Sequence, residues 1–295
     1  MSDKLNQQLT GGEKQVITDL KKIYSDSPNL YNIAEEDGHI VRIDLDYGGY
    51  MEPEVDFYKL PESFRHLKWL KILNIPDNEL WDLPDWLGEL TSLQVLVLYD
   101  NPINKFPQSI GSLTSLKELS KFHQRVLKSI DRRLTQLPVS FCNLISLEKL
   151  DLGENKICSL PKAFGNLKSL QVLDLGFNKI VSLPESFGEL ESLRVLHLRG
   201  NALTTLPESF CNLSSLRVLD LSSNQLETLP ESFGNLQLLE DLDLQNNNIT
   251  YLPASMENLA SLENLRTHGN HFNEAAKDLL EYLRKRAYVD GSKRG

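Results

Sequence analysis

The chain has 295 residues, a net charge of −10 at pH 7 with histidines neutral, and three cysteines. The acidic balance argues against a general nucleic-acid-binding protein, because such proteins present a basic surface. An odd number of cysteines without paired clusters favours a reducing compartment. Residues 1–10 lack the apolar core of a secretory signal, and no apolar stretch reaches the length of a membrane span. We therefore expect a cytoplasmic protein.

The N-terminal part of the chain predicts a helical cap. Residues 1–12 are polar and are expected to form a disordered leader. The apolar residues between 13 and 24 fall on one helical stripe, and residues 37–45 are expected to form the first strand after it. The chain continues with a series of repeats, described below, and a helix at this place would cover the core and the sheet edge of the first of them. We assign residues 13–39 to an N-terminal capping helix and link.

Residues 147–259 carry five copies of one pattern at an interval of 23 residues. Each copy has two leucines two positions apart, a Leu-Pro pair and a phenylalanine or methionine. Self-similarity at a fixed period of this size indicates a solenoid. The repeats extend over residues 40–272, about ten in number, and are irregular at 46–59 and 120–133. The asparagines mark the period in the regular part: Asn155, Asn178, Asn201, Asn224, Asn247 and Asn270.

The pattern has a direct physical interpretation. Leu150 and Leu152 are two residues apart, so they share the buried face of a short strand, and Asp151 between them points toward solvent. Asn155 comes where the chain must turn. Its amide can bond to buried backbone groups, which would be costly to leave unpaired. We therefore expect the asparagines to form a ladder of hydrogen bonds.

One repeat is interrupted. The interval from Asn101 to Asn155 is 54 residues, which is eight more than two periods. The surplus lies between Leu119 and Leu134. A solvated loop and a docking element for a partner are both consistent with its composition. The stretch sets a single acid against five basic residues: Lys121, Arg125, Lys128, Arg132 and Arg133.

The C-terminal part predicts a second cap. Asn273 is a favourable N-cap, and apolar residues come after it at helical spacing. Residues 273–295 are therefore expected to form a capping helix with a basic tail.

The full pattern, L-x-x-L-x-L-x-x-N-x-(I/L)-x-x-L-P-x-x-F-G-x-L, resembles the 23-residue class of leucine-rich repeats. Ras-group leucine-rich proteins share this class with many bacterial, archaeal and protist relatives. The resemblance covers residues 40–272. It implies an α/β fold, a right-handed leucine-rich repeat solenoid (horseshoe) with a parallel concave sheet and helical N- and C-terminal caps. It also implies a cytosolic adaptor or scaffold that binds proteins on the concave sheet.

The outward positions of the strands form the candidate partner surface. Parallel strands lie about 4.8 Å apart, so equivalent positions stack into columns. One column holds four aspartates and a histidine, and the neighbouring column holds valines. Acids would attract a basic partner, and apolar groups rimmed by charge are typical of a contact surface. The expected partner-binding residues are Asp151, Asp174, Val172, His197, Val195, Arg199, Asp220, Val218 and Asp243.

Two other interpretations of this column stay open. Leu-Asp-Leu is common in this repeat class, so the aspartates can be ordinary members of the repeat. Asp174, His197 and Asp220 are also metal-ligand types on adjacent strands. A flat, open surface is a poor metal site, and we expect neither a metal nor another cofactor.

The sequence contains no recognisable catalytic motif, and its six histidines are scattered. We therefore expect that the protein is not an enzyme. We expect a protein–protein interaction module or scaffold that binds its partner on the concave sheet face. Its partner is expected to be a protein, basic in charge or from a small-GTPase pathway. The alternative is a specificity module of an enzyme complex, such as a ubiquitin ligase or GTPase assembly, or a pathogen effector. The identity of the partner and the oligomeric state stay open.

Overall fold

The computed structural model describes residues 8–24, 31–45, 58–122 and 133–291, with the backbone alone for 287–291. Contacts divide the chain into two compact units, Met1–Leu147 and Glu148–Gly295. No helix in the described ranges combines the length and the apolarity needed to cross a bilayer.

The first unit opens with a capped helix. Helix α1, Gly11–Ile23, has Thr10 as its N-cap, and the Thr10 side chain accepts a hydrogen bond from the Glu13 N–H. The Glu13 carboxylate in turn accepts from the Thr10 N–H at 2.9 Å, which completes a capping box. Residues 8–12 therefore belong at least in part to the cap, and the helix begins two residues before its predicted start. Its buried face consists of Glu13, Val16, Ile17 and Leu20.

The sheet of the first unit begins with a hairpin. Strands β1, Tyr31–Glu36, and β2, His39–Leu45, are antiparallel. Parallel strands then continue the sheet in chain order, each paired with the next. The sequence predicted β2 but not β1, since only Ile33 of its six residues is buried and no apolar alternation marks it. The parallel strands are β3 (Ile72–Asn74), β4 (Val95–Val97) and β5 (Glu118–Ser120).

The second unit is regular. Six strands of three residues each pair in parallel and in chain order. Helix α2, Glu274–Gly291, closes it, and Asn273 caps this helix by accepting from the Ala276 N–H at 2.9 Å. The parallel sheet and the C-terminal cap are thus confirmed. The strands are β6 (Lys149–Asp151), β7 (Val172–Asp174), β8 (Val195–His197), β9 (Val218–Asp220), β10 (Asp241–Asp243) and β11 (Asn264–Arg266).

The chain returns between strands through short 3₁₀-helices whose aromatic residues fill the core. The rings of Phe164, Phe187 and Phe210 are fully buried and stack at centroid distances of 6.0 Å. Similar turns recur across both units. They are Glu62–His66, Asp85–Glu89, Gln108–Ser112, Val139–Asn143, Phe164–Asn166, Glu185–Glu189, Glu208–Asn212, Phe233–Asn235 and Ala254–Asn258.

A small residue lies in these turns where successive repeats touch. A Cβ atom added to Gly188 would lie 1.9 Å from the Ser209 carbonyl oxygen, so a larger residue there would force the neighbouring turn to shift. Cys211 occupies the same repeat position in the next repeat and is buried. The next 3₁₀-helix, Phe233–Asn235, is shorter than most.

The asparagine ladder is confirmed. The side-chain oxygen of Asn201 accepts from the Ile180 N–H at 2.9 Å. Its Nδ2 donates to the carbonyl oxygens of Leu175 and Leu198, each at 2.9 Å. Two of these three bonds reach the preceding repeat, so each asparagine joins neighbouring repeats as well as closing its own turn. Asn178, Asn224, Asn247 and Asn270 make equivalent bonds.

The residue before each ladder asparagine has a left-handed backbone that the sequence did not reveal. Gly200 and Gly269 have φ of 68° and 72°, as glycine allows without strain. The other repeats accept the strain of a side chain, about 1–2 kcal/mol each. These non-glycine residues, with φ from 49° to 56°, are Asp77, Asp100, Glu154, Phe177, Ser223 and Asn246.

Candidate functional site

The candidate site is the solvent-facing side of strands β6 to β11, here named the open sheet face. Aspartates occupy the third position of β6, β7, β9 and β10 and form the aspartate column, whose side chains stabilise the turns after these strands. The Asp174 Oδ1 accepts from the Gly176 N–H at 2.8 Å, and the Asp220 Oδ1 accepts from the Ser222 N–H at 2.9 Å. Asp151 and Asp243 accept from the N–H two residues later in the same way, each at 3.0 Å. Each carboxylate thus caps the turn after its strand.

The aspartates are consequently less available than strand alternation predicts. All four are half-buried, and one oxygen of each is committed to its own turn. Burial raises the pKa of Asp151, the Gly153 N–H lowers it, and the charge of Asp174 raises it further. The column therefore combines two functions: one carboxylate oxygen stabilises the fold, and the negative charge remains at the surface.

His197 interrupts the column. It occupies the position that is aspartate in β6, β7, β9 and β10, and its strand pairs in register with Asp174 on one side and Asp220 on the other. Because His197 provides no capping carboxylate, no described group accepts a hydrogen bond from the Arg199 N–H. At the edge of the open sheet face, this turn therefore has a backbone N–H that no described group accepts from and that a bound molecule could use.

A strip of valines runs beside this column. Val172, Val195 and Val218 pair directly across β7, β8 and β9, and each is half-buried. In the two strands on either side the same position is charged, at Lys149 and Asp241. The apolar strip is thus three strands wide and ends at charges on both sides.

Arg199 extends from the rim of the face on an aromatic support. Its guanidinium carbon lies 5.3 Å from the centroid of the Phe177 ring, a distance that permits a cation–π interaction. The ring itself lies over Gly200, where an added Cβ would be 2.7 Å from the ring. The neighbouring repeats have Gly176 and Ser222 at the position of Arg199. The guanidinium is therefore supported by the ring, and the equivalent positions of the neighbouring repeats carry small residues.

At the β10–β11 end of the face, the polar side chains are paired with one another. Arg217 bonds to Glu240, Asn264 bonds to Asp241, and Arg266 lies 3.7 Å from Asp243. The structure thus brings all nine predicted residues onto one face. It distinguishes a central part around β7, β8 and β9 from an end that is internally paired.

The predicted docking insertion needs a correction. The Lys121 side chain is fully buried, so it cannot contact a partner. Adding 23 to Leu98 gives Lys121, so the lysine occupies a core position of the repeat, and this signal was present in the sequence. Burial lowers the pKa of Lys121 to about 8, against the attraction of Asp100. Arg133 is half-buried. Arg125, Lys128 and Arg132 lie outside the described residues.

The chemistry available on this face is recognition. Within the described ranges no group of three histidine, cysteine or acidic residues is arranged to hold a metal ion. The face presents an apolar strip, carboxylate oxygens and an arginine at fixed spacing. An exposed parallel sheet built from stacked repeats defines the class: a repeat solenoid of the protein-interaction type.

The family is shown by a sequence comparison. The family model described as "Leucine-rich repeat region" matches residues 135–219 and 188–285, which together span just over half of the chain. The chain belongs to the leucine-rich repeat family. No curated protein matches it.

Solved structures share the fold. The chain is similar to the plant peptide hormone receptor RGFR1 in complex with RGF2, at 29% identity and a TM-score of 0.57, covering 72% of this chain and 38% of that one. It is also similar to the ectodomain of the Arabidopsis thaliana membrane receptor kinase GASSHO1/SCHENGEN3 in complex with CASPARIAN STRIP INTEGRITY FACTOR 2, at 29% identity and a TM-score of 0.56, covering 72% and 28%.

A further solved structure, PEPR1-AtPEP1, shows the fold alone, at 22% identity and a TM-score of 0.62, covering 89% of this chain and 46% of that one. The chain thus spans less than half the length of each of these three structures.

Proposed function

We propose that the open sheet face binds an extended segment of a protein partner. The observation that carries the proposal is the strip of Val172, Val195 and Val218, which lies half-exposed beside a column of carboxylates. Covering apolar surface contributes about 25 cal/mol per Å², and the adjacent charges restrict which segment can lie there.

Charge favours basic groups in that segment. The chain carries a net charge of −10, and Asp151 and Asp174 face the same side from adjacent strands. Their capping bonds occupy Oδ1, so the second oxygen of each carboxylate can accept from a lysine or arginine of the partner. Association with such a partner should slow as salt rises, because the attraction is screened.

Similar proteins support this proposal. Two structures at 29% identity, RGFR1 and GASSHO1/SCHENGEN3, are complexes with RGF2 and with CASPARIAN STRIP INTEGRITY FACTOR 2, respectively. Their chains are more than twice as long as the matched part, so their partners do not transfer to this protein.

We further propose that the chain supplies specificity without chemistry of its own, either as a scaffold or as the recognition module of a catalytic assembly. A cytoplasmic location is part of this proposal. Its three cysteines are thiols, one of which, Cys158, is exposed, and a reducing compartment preserves such thiols. Microscopy of the full chain fused to a fluorescent protein tests the location, and accumulation outside the cytoplasm would contradict it.

The test is a peptide selection with matched variants. A random peptide library fused through its C-terminus to phage is selected on the full chain, on Val195→Arg and on Val181→Arg. Val181 is the control because it is a valine 54% exposed in a turn outside the strands. We expect the wild type and Val181→Arg to enrich peptides with aliphatic and basic residues, and Val195→Arg to bind them about tenfold or more weakly.

Two results would count against the proposal. One is a wild-type selection without enrichment of aliphatic and basic residues. The other is equal binding of the selected peptides to Val195→Arg, since a guanidinium inside the valine strip must disturb any segment that lies on it. Circular dichroism of both variants establishes that their fold is retained.

A further inference from the structure

A donor without an acceptor lies in the middle of the acidic column. In four strands of the second unit the N–H of the turn bonds to an aspartate two residues earlier. At His197 this carboxylate is missing, and no described group accepts from the Arg199 N–H. A polar N–H without an acceptor is costly once a partner excludes water from it. A bound segment must therefore provide an oxygen at this point.

Two further donor groups belong to the same strand and turn. The Arg199 guanidinium is held over the Phe177 ring at 5.3 Å and forms no ion pair among the described residues. The His197 imidazole lies on the strand just before it. By contrast, Arg217 and Arg266 are each paired with an acid of a neighbouring repeat, Glu240 and Asp243 respectively. Among the described residues no acid neutralises Arg199, which also carries the N–H that lacks a capping carboxylate.

We infer that Arg199, with its backbone N–H and the His197 side chain, forms a subsite for one acidic side chain of the bound segment. This inference rests on the proposed function of the open sheet face. A carboxylate matches these donors because it accepts from several N–H groups at once and pairs with a guanidinium. In this arrangement the carboxylate of the partner replaces the aspartate that β8 lacks.

The geometry favours a side-chain carboxylate over the end of a chain. The valine strip continues from Val195 to Val172 on one side and to Val218 on the other. A segment that covers the strip therefore passes over β8 and does not stop there. Carboxylates of Asp174 and Asp220 flank the subsite, so the acidic residue of the partner is expected between basic ones.

Two substitutions test the subsite in different ways. His197→Asp supplies the carboxylate found in the neighbouring strands, so the Arg199 N–H should be capped internally and the fold retained. Arg199→Gln removes the cation and leaves the turn unchanged. Lys179→Gln is the control, because Lys179 is exposed in the preceding repeat, outside the strands, and its loss changes the net charge equally.

The experiment is selection on the full-length variants from the same random peptide library, which has no free peptide C-terminus. We expect the wild type and Lys179→Gln to enrich aspartate or glutamate at one position, flanked by basic residues. With Arg199→Gln and His197→Asp the acidic enrichment should be lost and the aliphatic and basic enrichment kept. Changing that acid to its amide in a selected peptide should weaken wild-type binding about tenfold or more and leave binding to His197→Asp unchanged.

The outcomes separate the two proposals. Acidic enrichment that persists in both variants, or is absent in the wild type while aliphatic and basic enrichment is present, overturns the subsite and leaves the proposed function standing. A wild-type selection that enriches neither aliphatic nor basic residues refutes the proposed function and the subsite with it. A large loss of thermal stability in His197→Asp would also contradict the subsite, since it would show that the carboxylate cannot reach the Arg199 N–H.

Discussion

Lys121 offers a quantitative test of the solenoid core. It occupies a position that is leucine or isoleucine in most other repeats, for example Leu98, and its side chain is fully buried. Burial lowers its pKa from the ordinary 10.5 to about 8, Asp100 opposes this decrease, and Arg133 adds to it. Each pKa unit corresponds to about 1.4 kcal/mol, so holding the charged lysine here costs about 3 kcal/mol at neutral pH.

The sign of the pH dependence is set by linkage. Below pH 8 the lysine is protonated in both the folded and the unfolded chain, and the full cost is present. Between pH 8 and 10.5 the unfolded chain holds more protons than the folded chain, so the free energy of unfolding rises with pH. Lys121→Met removes this titration and keeps the length of the side chain.

We expect the free energy of unfolding of Lys121→Met, relative to the wild type, to decrease by about 3 kcal/mol between pH 7 and pH 10.5, because only the wild type gains stability as the lysine loses its proton. Urea unfolding at several pH values measures it, and Lys105→Met, which alters an exposed lysine, is the control. A constant difference between wild type and variant across this pH range would refute the reasoning. So would a wild-type free energy of unfolding that falls between pH 8 and pH 10.5, because linkage requires it to rise.

Three further predictions concern the repeat framework. Asn201→Ala should lower the free energy of unfolding by about 1–3 kcal/mol or more, because it leaves buried backbone groups unpaired, whereas the exposed Thr205→Ala should change it little; equal urea midpoints would contradict the ladder. Gly188→Ala should lower the melting temperature by several degrees, since its Cβ would lie 1.9 Å from a carbonyl oxygen; an unchanged melting temperature would show that the repeats separate easily. An aromatic disulfide reagent should modify Cys158 quickly in the folded chain and Cys211 only on unfolding, because Cys211 is buried and burial raises its pKa to about 12; equal rates would mean that the 3₁₀-helix side opens.

The sequence was sufficient to predict those features in which local geometry requires the same residue type in every repeat. Two leucines two residues apart must share one face of a strand, and the 23-residue interval placed every parallel strand of the second unit. The bonds of Asn201 and the cap at Asn273 also arise from local chemistry, since an amide at a turn has few other partners. The apolar stripe of α1 is also a local pattern, and it predicted the start of the helix to within two residues.

The sequence was insufficient wherever a side chain is used by an adjacent turn or repeat. Strand alternation placed the aspartates on the solvent side, but it could not show that one oxygen of Asp174 caps the next turn. Lys121 was wrongly predicted for a different reason: the surplus of basic residues after Leu119 suggested a surface segment, although register with Leu98 already indicates a core position. The structure shows that its side chain is buried.

The sequence by itself determined the repeat, its strands, its asparagine ladder and the face on which a partner is expected. These features depend on the alternation of side chains and on a constant period, which are properties of the linear chain. Only the tertiary structure decided which groups on that face are already occupied. No described group accepts from the Arg199 N–H, because His197 stands where neighbouring strands have aspartate, and Phe177 from another repeat supports the guanidinium. The missing cap involves residues only two positions apart, but the capping bond of the neighbouring strands is visible only in the folded turns. The contact with Phe177 forms only when the repeats stack.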